Sequence, residues 1–175
     1  GNSTDKSVSI VQKYSKSLAK ITQLINPQKI TPISLNIGVK AAAGEIIVIL
    51  GAHSFIHRDF INNGVLALGD TDAVCVGGPI KNIGNSHIGR AIALAMKSSF
   101  GVGNSLFRIS KKRKYVDTVA FGAYRKEVFE AVGYFDESLV RNQDFEFNQR
   151  IVKFGYKILL TPEITSYYYA RNSLS

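Results

Sequence analysis

Apolar positions along this chain form two kinds of pattern, short continuous runs and longer stretches with helical spacing. A continuous run such as Ile46–Leu50 is typical of a strand buried on both faces of a sheet. We predict strands over Ile21–Ile25, Ile46–Leu50, Ala73–Val76, Tyr115–Phe121, Lys157–Leu160 and Ile164–Tyr169. Helical spacing predicts helices over Lys6–Lys20, Ile33–Ala43, Phe60–Leu68, Ser86–Lys97, Lys126–Val132 and Asp144–Phe154. This alternation predicts an α/β domain with a largely parallel sheet.

The length and composition are those of one globular domain. Of the 175 residues, 45% are apolar, which is enough to form a hydrophobic core. No uninterrupted apolar run reaches the length that spans a membrane. The single cysteine, Cys75, lies in the apolar run Ala73–Val76, so we expect it to be a small buried residue. Because the chain begins with a polar segment and no methionine, we expect it to be a fragment.

The net charge of +9 would attract nucleic acids, anionic lipids or phosphorylated small molecules. The densest basic run is Lys111–Lys114. It lacks the interleaved aromatic residues of a single-strand-binding surface, so we expect no nucleic acid partner. Contact with a membrane surface is the functional interpretation that we prefer, and a solvated loop is the structural alternative.

Two places could carry chemistry. The strand Ile46–Leu50 leads into Gly51-Ala52-His53, and ligands of parallel α/β sheets bind beyond the carboxyl ends of such strands. An ordinary strand-to-loop junction with a hydrogen-bonded histidine is the competing interpretation. The second place is Gly133–Arg150, where Asp144 and Glu146 open a helix. Acids there could simply stabilise the helix N-terminus.

Three segments in this order and spacing resemble family 2 glycosyltransferases of the GT-A fold. They are Ser3–Asp5 (STD), Asn36–His53 (NIGVKAAAGEIIVILGAH) and Asp117–Arg150, which contains GAYRKEVFEAVGYFDE and QDFEFNQR. The closest subgroup is of the succinoglycan-biosynthesis type. The resemblance implies a Rossmann-like, mixed but mostly parallel sheet flanked by helices, here lacking its first strand. It implies one catalytic domain over residues 1–175, with 1–99 as the remainder of the nucleotide-sugar-binding half and 100–175 as the acceptor-side half.

The resemblance also assigns roles to single residues. Asp144 takes the position of the general base, and Gln143 stands where relatives carry a glutamate. Acceptor-side positions are Gln143, Glu146 and Arg150, and donor-binding positions are Asp5, Asn36, Gly51, Ala52 and His53. The metal-binding Asp-x-Asp of the family is here Gly51-Ala52-His53. His53 is therefore the one candidate ligand for a divalent metal, Mn²⁺ or Mg²⁺, and its imidazole is the better match for Mn²⁺.

The function implied is inverting transfer of a sugar from a nucleotide-diphosphate donor to a glycan or lipid-linked acceptor in polysaccharide biosynthesis. The implied location is cytoplasmic, at the inner face of the cell membrane, with parts of a parent protein providing the anchor. Two alternatives remain open. A non-catalytic sugar- or nucleotide-binding module is favoured by the absent carboxylates at Gly51 and Gln143. A basic nucleic-acid-binding domain has only the net charge in its favour.

Overall fold

A computed structural model describes residues 3–17, 20–95 and 112–169. In these ranges the chain forms helices α1 (Ser7–Ser17), α2 (Thr31–Ala41), α3 (Phe60–Gly69), α4 (His87–Ala95), α5 (Glu127–Val132) and α6 (Gln143–Lys153). The strands are β1 (Ile46–Val48), β2 (Ser54–Ile56), β3 (Ala73–Gly77), β4 (Ile80–Ile83), β5 (Lys114–Val116), β6 (Ala123–Arg125), β7 (Lys157–Leu160) and β8 (Ser166–Tyr169). A mixed α/β fold is therefore confirmed.

The main sheet has five strands in the order β1-β6-β3-β7-β5. Only β3 and β7 pair in parallel, whereas β6 pairs antiparallel with both β1 and β3, and β5 pairs antiparallel with β7. The prediction of a mostly parallel sheet is therefore wrong for the described strands. The cause is β6, which lies between β1 and β3 and runs opposite to both. The strands β1, β3 and β7 nevertheless share one direction, so their carboxyl ends point to the same edge.

The hydrophobic core has two layers, one on each face of this sheet. On one face, α5 and α6 pack Phe129, Phe147 and Ile151 against the sheet, and all three side chains are fully buried. On the other face, α3 packs Phe60 and Leu68 against it. Cys75 is fully buried in the first layer, as predicted. Burial of this kind raises the pKa of the Cys75 thiol far above its usual range.

A second sheet has three strands in the order β2-β8-β4, and these follow β1, β7 and β3 of the main sheet along the chain. Its register aligns Ser54 with Tyr168 and Tyr168 with Asn82. We predicted neither β2 nor β4, because Ser54–Ile56 and Ile80–Ile83 are short and mix polar with apolar residues. The strand β6 was missed for the same reason.

Two predicted strands need correction. Residues 21–25 form no strand, and Ile21, Leu24 and Ile25 are exposed because no neighbouring strand covers them. The predicted strand Tyr115–Phe121 ends already at Val116, and Phe121 has a left-handed backbone with φ of 51°. Such a backbone cannot continue a strand.

The predicted helices are confirmed with shifted ends. Residues 18–19 of the Lys6–Lys20 prediction, the last two residues of the Ser86–Lys97 prediction, and Lys111 of the basic run lie outside the described residues. Among the helices of the described segments, none combines the length and the apolar character that crossing a bilayer requires.

Candidate active site

A cavity of about 490 Å³ opens at the edge of the main sheet where the carboxyl end of β1 meets the segment leading into β6. Its walls come from separate parts of the chain: Thr31 and Leu35 of α2, the β1 end with Ile49 to Gly51 and His53, residues 119–122 with Tyr124, Phe135, Gln143 and Asp144 of α6, and Ile80 and Tyr168 of the second sheet. Most of these side chains are apolar or aromatic. Apart from two tyrosines, the ionisable residues of the cavity wall are Asp144 and His53.

Asp144 lies in the first turn of α6, at the cavity wall. The chain enters this helix through Asn142, whose left-handed backbone has φ of 60°, and no side chain caps the helix start with a hydrogen bond. Among the described residues, the Asp144 side chain has no hydrogen-bonding or ion-pairing partner. Its carboxylate is therefore available to a molecule in the cavity, unlike a carboxylate used for capping.

Glu146, two residues further on, has a different environment. The Arg150 guanidinium donates two hydrogen bonds to the Glu146 carboxylate, the longer of them 2.9 Å. Arg150 also donates to the carbonyl oxygens of Val132 at 2.9 Å and Tyr134 at 2.7 Å. This arrangement fixes α6 to the end of α5. Neither Glu146 nor Arg150 lines the cavity, so the structure does not bring them to the site with Gln143 and Asp144.

A buried network behind Asp144 joins α6 to the cavity wall. The Tyr124 hydroxyl donates to Asn148 Oδ1 at 3.1 Å, and Asn148 Nδ2 donates to Thr118 Oγ1 and to the Val119 carbonyl, both at 3.0 Å. Burial raises the pKa of Tyr124 well above its usual range, and nearby Cys75 and Asp144 raise it further. Tyr124 thus remains a neutral hydrogen-bond donor. No pattern in the sequence predicted this network.

His53 and Gly51 form the β1 side of the site. The His53 ring lies edge-on to Tyr168, with ring centroids 4.8 Å apart. The Ser54 hydroxyl donates to the Gly51 carbonyl at 2.6 Å and closes the turn after β1. A Cβ atom at Gly51 would lie 3.6 Å from the nearest atoms, those of Phe121 and Ser54, which is ordinary van der Waals contact. Ala52 is exposed and is not part of the wall.

The structure gives two predicted donor-binding residues other environments. Asn36 is buried, and its amide donates to the Phe135 carbonyl and to Glu137 Oε1, both at 2.9 Å, and accepts from the Phe135 N–H at 3.0 Å. It ties α2 to the loop after α5 and does not reach the cavity. Asp5 is exposed and accepts a hydrogen bond from the Ser7 N–H at the start of α1. Asp5 does not line the cavity either.

The described residues do not form a metal site. They contain no group of three or more His, Cys, Asp and Glu side chains that could hold a metal ion. At the carboxyl end of β1, His53 offers one imidazole nitrogen, and Gly51 offers no carboxylate. One borderline ligand is too few for a protein-bound Mg²⁺ or Mn²⁺ site.

The profile of glycosyl transferase family 2 matches residues 1–133 of this chain. Two curated relatives align over 99% of the chain. A Methanococcus voltae protein, 31% identical, is named dolichyl N-acetyl-alpha-D-glucosaminyl phosphate 3-beta-D-2,3-diacetamido-2,3-dideoxy-beta-D-glucuronosyltransferase. The Rhizobium meliloti succinoglycan biosynthesis protein ExoA is 30% identical. The alignments cover 56% and 53% of these relatives, so the chain spans about half of their length.

Solved structures support the fold independently of close sequence similarity. GalNAc-T7 with UDP, GalNAc and Mn²⁺ matches 98% of the chain and 36% of its own length, with a TM-score of 0.73 and 14% identity. The S. aureus TarS fragment in complex with UDP-GlcNAc matches 98% of the chain and 48% of its own length, with a TM-score of 0.71 and 20% identity. The GT-A fold predicted from the sequence is thereby confirmed.

Proposed function

Since the chain belongs to glycosyl transferase family 2, we propose that it transfers a sugar, with inversion, from a nucleotide-diphosphate donor to a glycan or lipid-linked acceptor in polysaccharide biosynthesis. The names of the two relatives support this reaction and this class of pathway. The single observation that carries the proposal is the position of Asp144. Its carboxylate, without a partner among the described residues, lines the same cavity as the β1 end, where sheets of this kind bind ligands.

In the proposed reaction, Asp144 is the general base. Its carboxylate accepts the proton of the acceptor hydroxyl while the hydroxyl oxygen attacks the anomeric carbon of the donor sugar. The new glycosidic C–O bond forms as the bond between the anomeric carbon and the diphosphate oxygen breaks. The nucleoside diphosphate leaves with the bonding electrons. Attack from the face opposite the leaving group inverts the configuration, and the apolar walls limit access of water.

We propose that Gly51 and His53 face the donor and that Gln143 faces the acceptor beside Asp144. The support is that all four residues line one cavity. Ala52 acts through the turn that positions its two neighbours. For Asn36, Glu146 and Arg150 we propose a supporting role, since their polar groups are engaged in holding α2 and α6 in place. Asp5 belongs to the donor side only by the resemblance.

We propose one catalytic domain, with residues 1–99 as the donor half and 100–175 as the acceptor half. The cavity walls support this division, because β1 and α2 come from the first half, and residues 119–122 and α6 come from the second. The main sheet supports a single domain, because β6 of the second half lies between β1 and β3 of the first.

The support for a divalent metal in this proposal is the similarity of fold to a structure that contains one. GalNAc-T7 was solved with Mn²⁺, whereas the described residues here supply one imidazole and no acidic cluster. We therefore assign no step to a metal.

The M. voltae relative is named for a dolichyl-linked phosphate sugar, which supports a lipid-linked acceptor. We accordingly propose action at the cytoplasmic face of the cell membrane. Within the basic run Lys111–Lys114, the described residues Arg113 and Lys114 contribute less to such a contact than their charge implies. Arg113 is paired with Asp70 at 3.0 Å and lies 3.6 Å from Glu163, and Lys114 is half-buried in β5.

A non-catalytic sugar-binding module is the second candidate, because Gly51 and Gln143 supply no carboxylate. One assay separates the two functions. The full-length protein is incubated with a panel of UDP- and GDP-sugars, with and without a membrane lipid extract, and release of the nucleoside diphosphate is measured. We expect release that rises with the extract. Binding of a nucleotide sugar without release or transfer would identify the non-catalytic module instead.

A further inference from the structure

Asn82 is a buried asparagine whose amide is left without a hydrogen-bond partner in the described part of the chain. The residue is 5% exposed, and neither Asn82 Nδ2 nor Asn82 Oδ1 has a hydrogen-bond partner among the residues that the structure describes. Other buried asparagines of the described chain differ from it. Asn26, for example, donates to the Ile30 carbonyl at 2.8 Å and to Ser34 Oγ at 2.7 Å, and it accepts from the Gln28 N–H at 3.0 Å.

An amide in this state destabilises the protein. Its donor and acceptor have given up hydrogen bonds to bulk water on folding, and the described residues provide none in return. A leucine or valine at the same place would fill a similar volume without that loss. Such a group in a folded protein calls for a function, and the most direct one is to bind a polar molecule that completes its hydrogen bonds.

The position of Asn82 in the second sheet indicates which polar molecule its amide could bind. Strand side chains alternate between faces, and Asn82 shares a face of β4 with Ile80, which lines the cavity. On the neighbouring strand, Asn82 is in register with Tyr168, which also lines the cavity and contacts His53. Ser54 continues the same row on β2. Asn82 itself is not among the residues that line the cavity, but it lies on the face of the second sheet that carries two of them, Ile80 and Tyr168.

We propose that Asn82 binds a pair of hydroxyl groups on a substrate sugar, with Tyr168 beside it as an apolar contact for the sugar ring. The inference rests on the proposed function and extends it to a residue that determines which sugar is accepted. An amide suits a sugar because Nδ2 donates to one hydroxyl oxygen while Oδ1 accepts from the next. A site built to bind hydroxyl groups discriminates strongly against a sugar that lacks them.

The opposite face of the same sheet provides a control. Phe55 and Tyr167 stack there with ring centroids 4.6 Å apart, and the Lys81 ammonium lies 5.7 Å from the centre of the Tyr167 ring. Lys81 is exposed and follows Ile80 directly, on the side away from the cavity. A Lys81→Met substitution therefore changes the same strand without changing the proposed sugar contact.

The first experiment measures stability without substrate. If the amide is unsatisfied, Asn82→Leu and Asn82→Val should melt at a higher temperature than the wild type, by about 2–4 °C. Asn26→Leu should melt at a lower temperature, because the Ile30 carbonyl, the Ser34 hydroxyl and the Gln28 N–H lose the amide to which they are bonded. If both Asn82 variants melt lower than the wild type or fail to fold, the amide has a partner in the protein and the inference is overturned.

The second experiment measures sugar recognition in the full-length protein. Titrations with UDP and with UDP-GlcNAc compare the wild type, Asn82→Leu and Lys81→Met, and other UDP- and GDP-sugars are tested in the same way. If the sugar comes from the donor, Asn82→Leu should lose about tenfold in affinity for the nucleotide sugar and nothing for the free nucleotide. If it comes from the acceptor, donor affinity stays constant and the KM for a membrane lipid extract rises by a similar factor.

The outcomes separate this inference from the function on which it rests. An active wild type with an equally active Asn82→Leu variant, and unchanged Kd and KM, would overturn the role of Asn82 alone. A loss of affinity in Lys81→Met equal to that in Asn82→Leu would also overturn it. A wild type that neither binds nor transfers any of the nucleotide sugars would overturn the proposed function, and the inference with it.

Discussion

The Tyr124 hydroxyl donates a hydrogen bond of 3.1 Å to Asn148 Oδ1, one helical turn beyond Asp144. Through its other amide atom, Asn148 also holds Thr118 and the Val119 carbonyl, at the start of the segment that lines the cavity. The orientation of α6, and with it the position of Asp144, thus depends on a buried polar contact as well as on packing. Satisfied networks of this kind specify one arrangement of a core.

The first prediction tests this network. Asn148→Leu removes an amide that satisfies three partners, so it should lower the free energy of unfolding by about 2–4 kcal/mol. Tyr124→Phe removes one of these bonds and should cost about 1 kcal/mol. Urea denaturation measures both values. Equal stability of Asn148→Leu and the wild type would show that the network contributes nothing to the fold.

The second prediction concerns the base. Asp144→Asn preserves the shape of the side chain and removes the proton acceptor, so turnover should fall about 10²–10⁴-fold with little change in donor affinity. Glu146→Gln is the matched control on the same helix. It weakens the contact with Arg150 and should reduce stability, while turnover per folded molecule stays near that of the wild type.

Melting temperature and turnover are measured on both variants. If Asp144 only stabilised the helix start, Asp144→Asn would melt earlier, with a loss of about 1 kcal/mol, and would still transfer sugar at a near-normal rate. That result would remove Asp144 from the mechanism.

The third prediction concerns the β1 end. A side chain at Gly51 meets its nearest neighbours at ordinary contact distance, so Gly51→Asp should fold and place a carboxylate near His53. We expect Gly51→Asp to bind Mn²⁺ more tightly than the wild type in calorimetric titrations, and Mn²⁺ more tightly than Mg²⁺. Ala52→Asp adds the same charge outside the cavity wall and serves as the control. Equal Mn²⁺ affinity of the two variants would show that the β1 end is not a site for a metal.

His53→Ala gives the fourth prediction. His53 is the cavity residue that could contact a donor diphosphate through a ring nitrogen, so its removal should lower turnover and donor affinity together. His87→Ala, in α4 and outside the cavity wall, is the matched control. A His53→Ala protein with unchanged turnover and unchanged response to Mn²⁺ would leave His53 with only its contact to Tyr168.

The fifth prediction follows from Cys75. Burial raises the pKa of its thiol in the folded state, whereas the unfolded chain ionises near pH 8.5. As the pH rises, the Cys75 thiol therefore loses its proton in the unfolded state first. The contribution of this group to the free energy of unfolding is fully present below about pH 8 and declines as the pH rises above about 8.5. The slope for this group is at most about 1.4 kcal/mol per pH unit. Cys75→Ala should remove this part of the alkaline decline, measured by urea denaturation between pH 7 and 10. An unchanged slope would mean that other groups cause it.

The sequence predicted those features that depend on local pattern. Buried runs such as Ala73–Val76 and the amphipathic helix at Asp144 occur where expected. Gly51 and His53 line the cavity, and their donor-binding role stays a prediction. The strands β2, β4 and β6 were missed because three or four residues of mixed polarity acquire their structure from neighbours that are distant in sequence. Asn36 and Glu146 were assigned to the site by resemblance. Only the structure shows that Asn36 binds the backbone of Phe135 and that Glu146 pairs with Arg150, so that both side chains position helices.

The position of β6 between β1 and β3 has a consequence for how the chain folds. The strands β1 and β3 do not pair with each other, and each pairs with β6, which is formed by residues 123–125. Residues 78–122 separate β3 from that partner, so the sheet closes through contacts of high sequence separation. High contact order slows folding and leaves apolar strands exposed in the meantime. During translation, the main sheet can therefore form only after residues 123–125 of the second half have been synthesised.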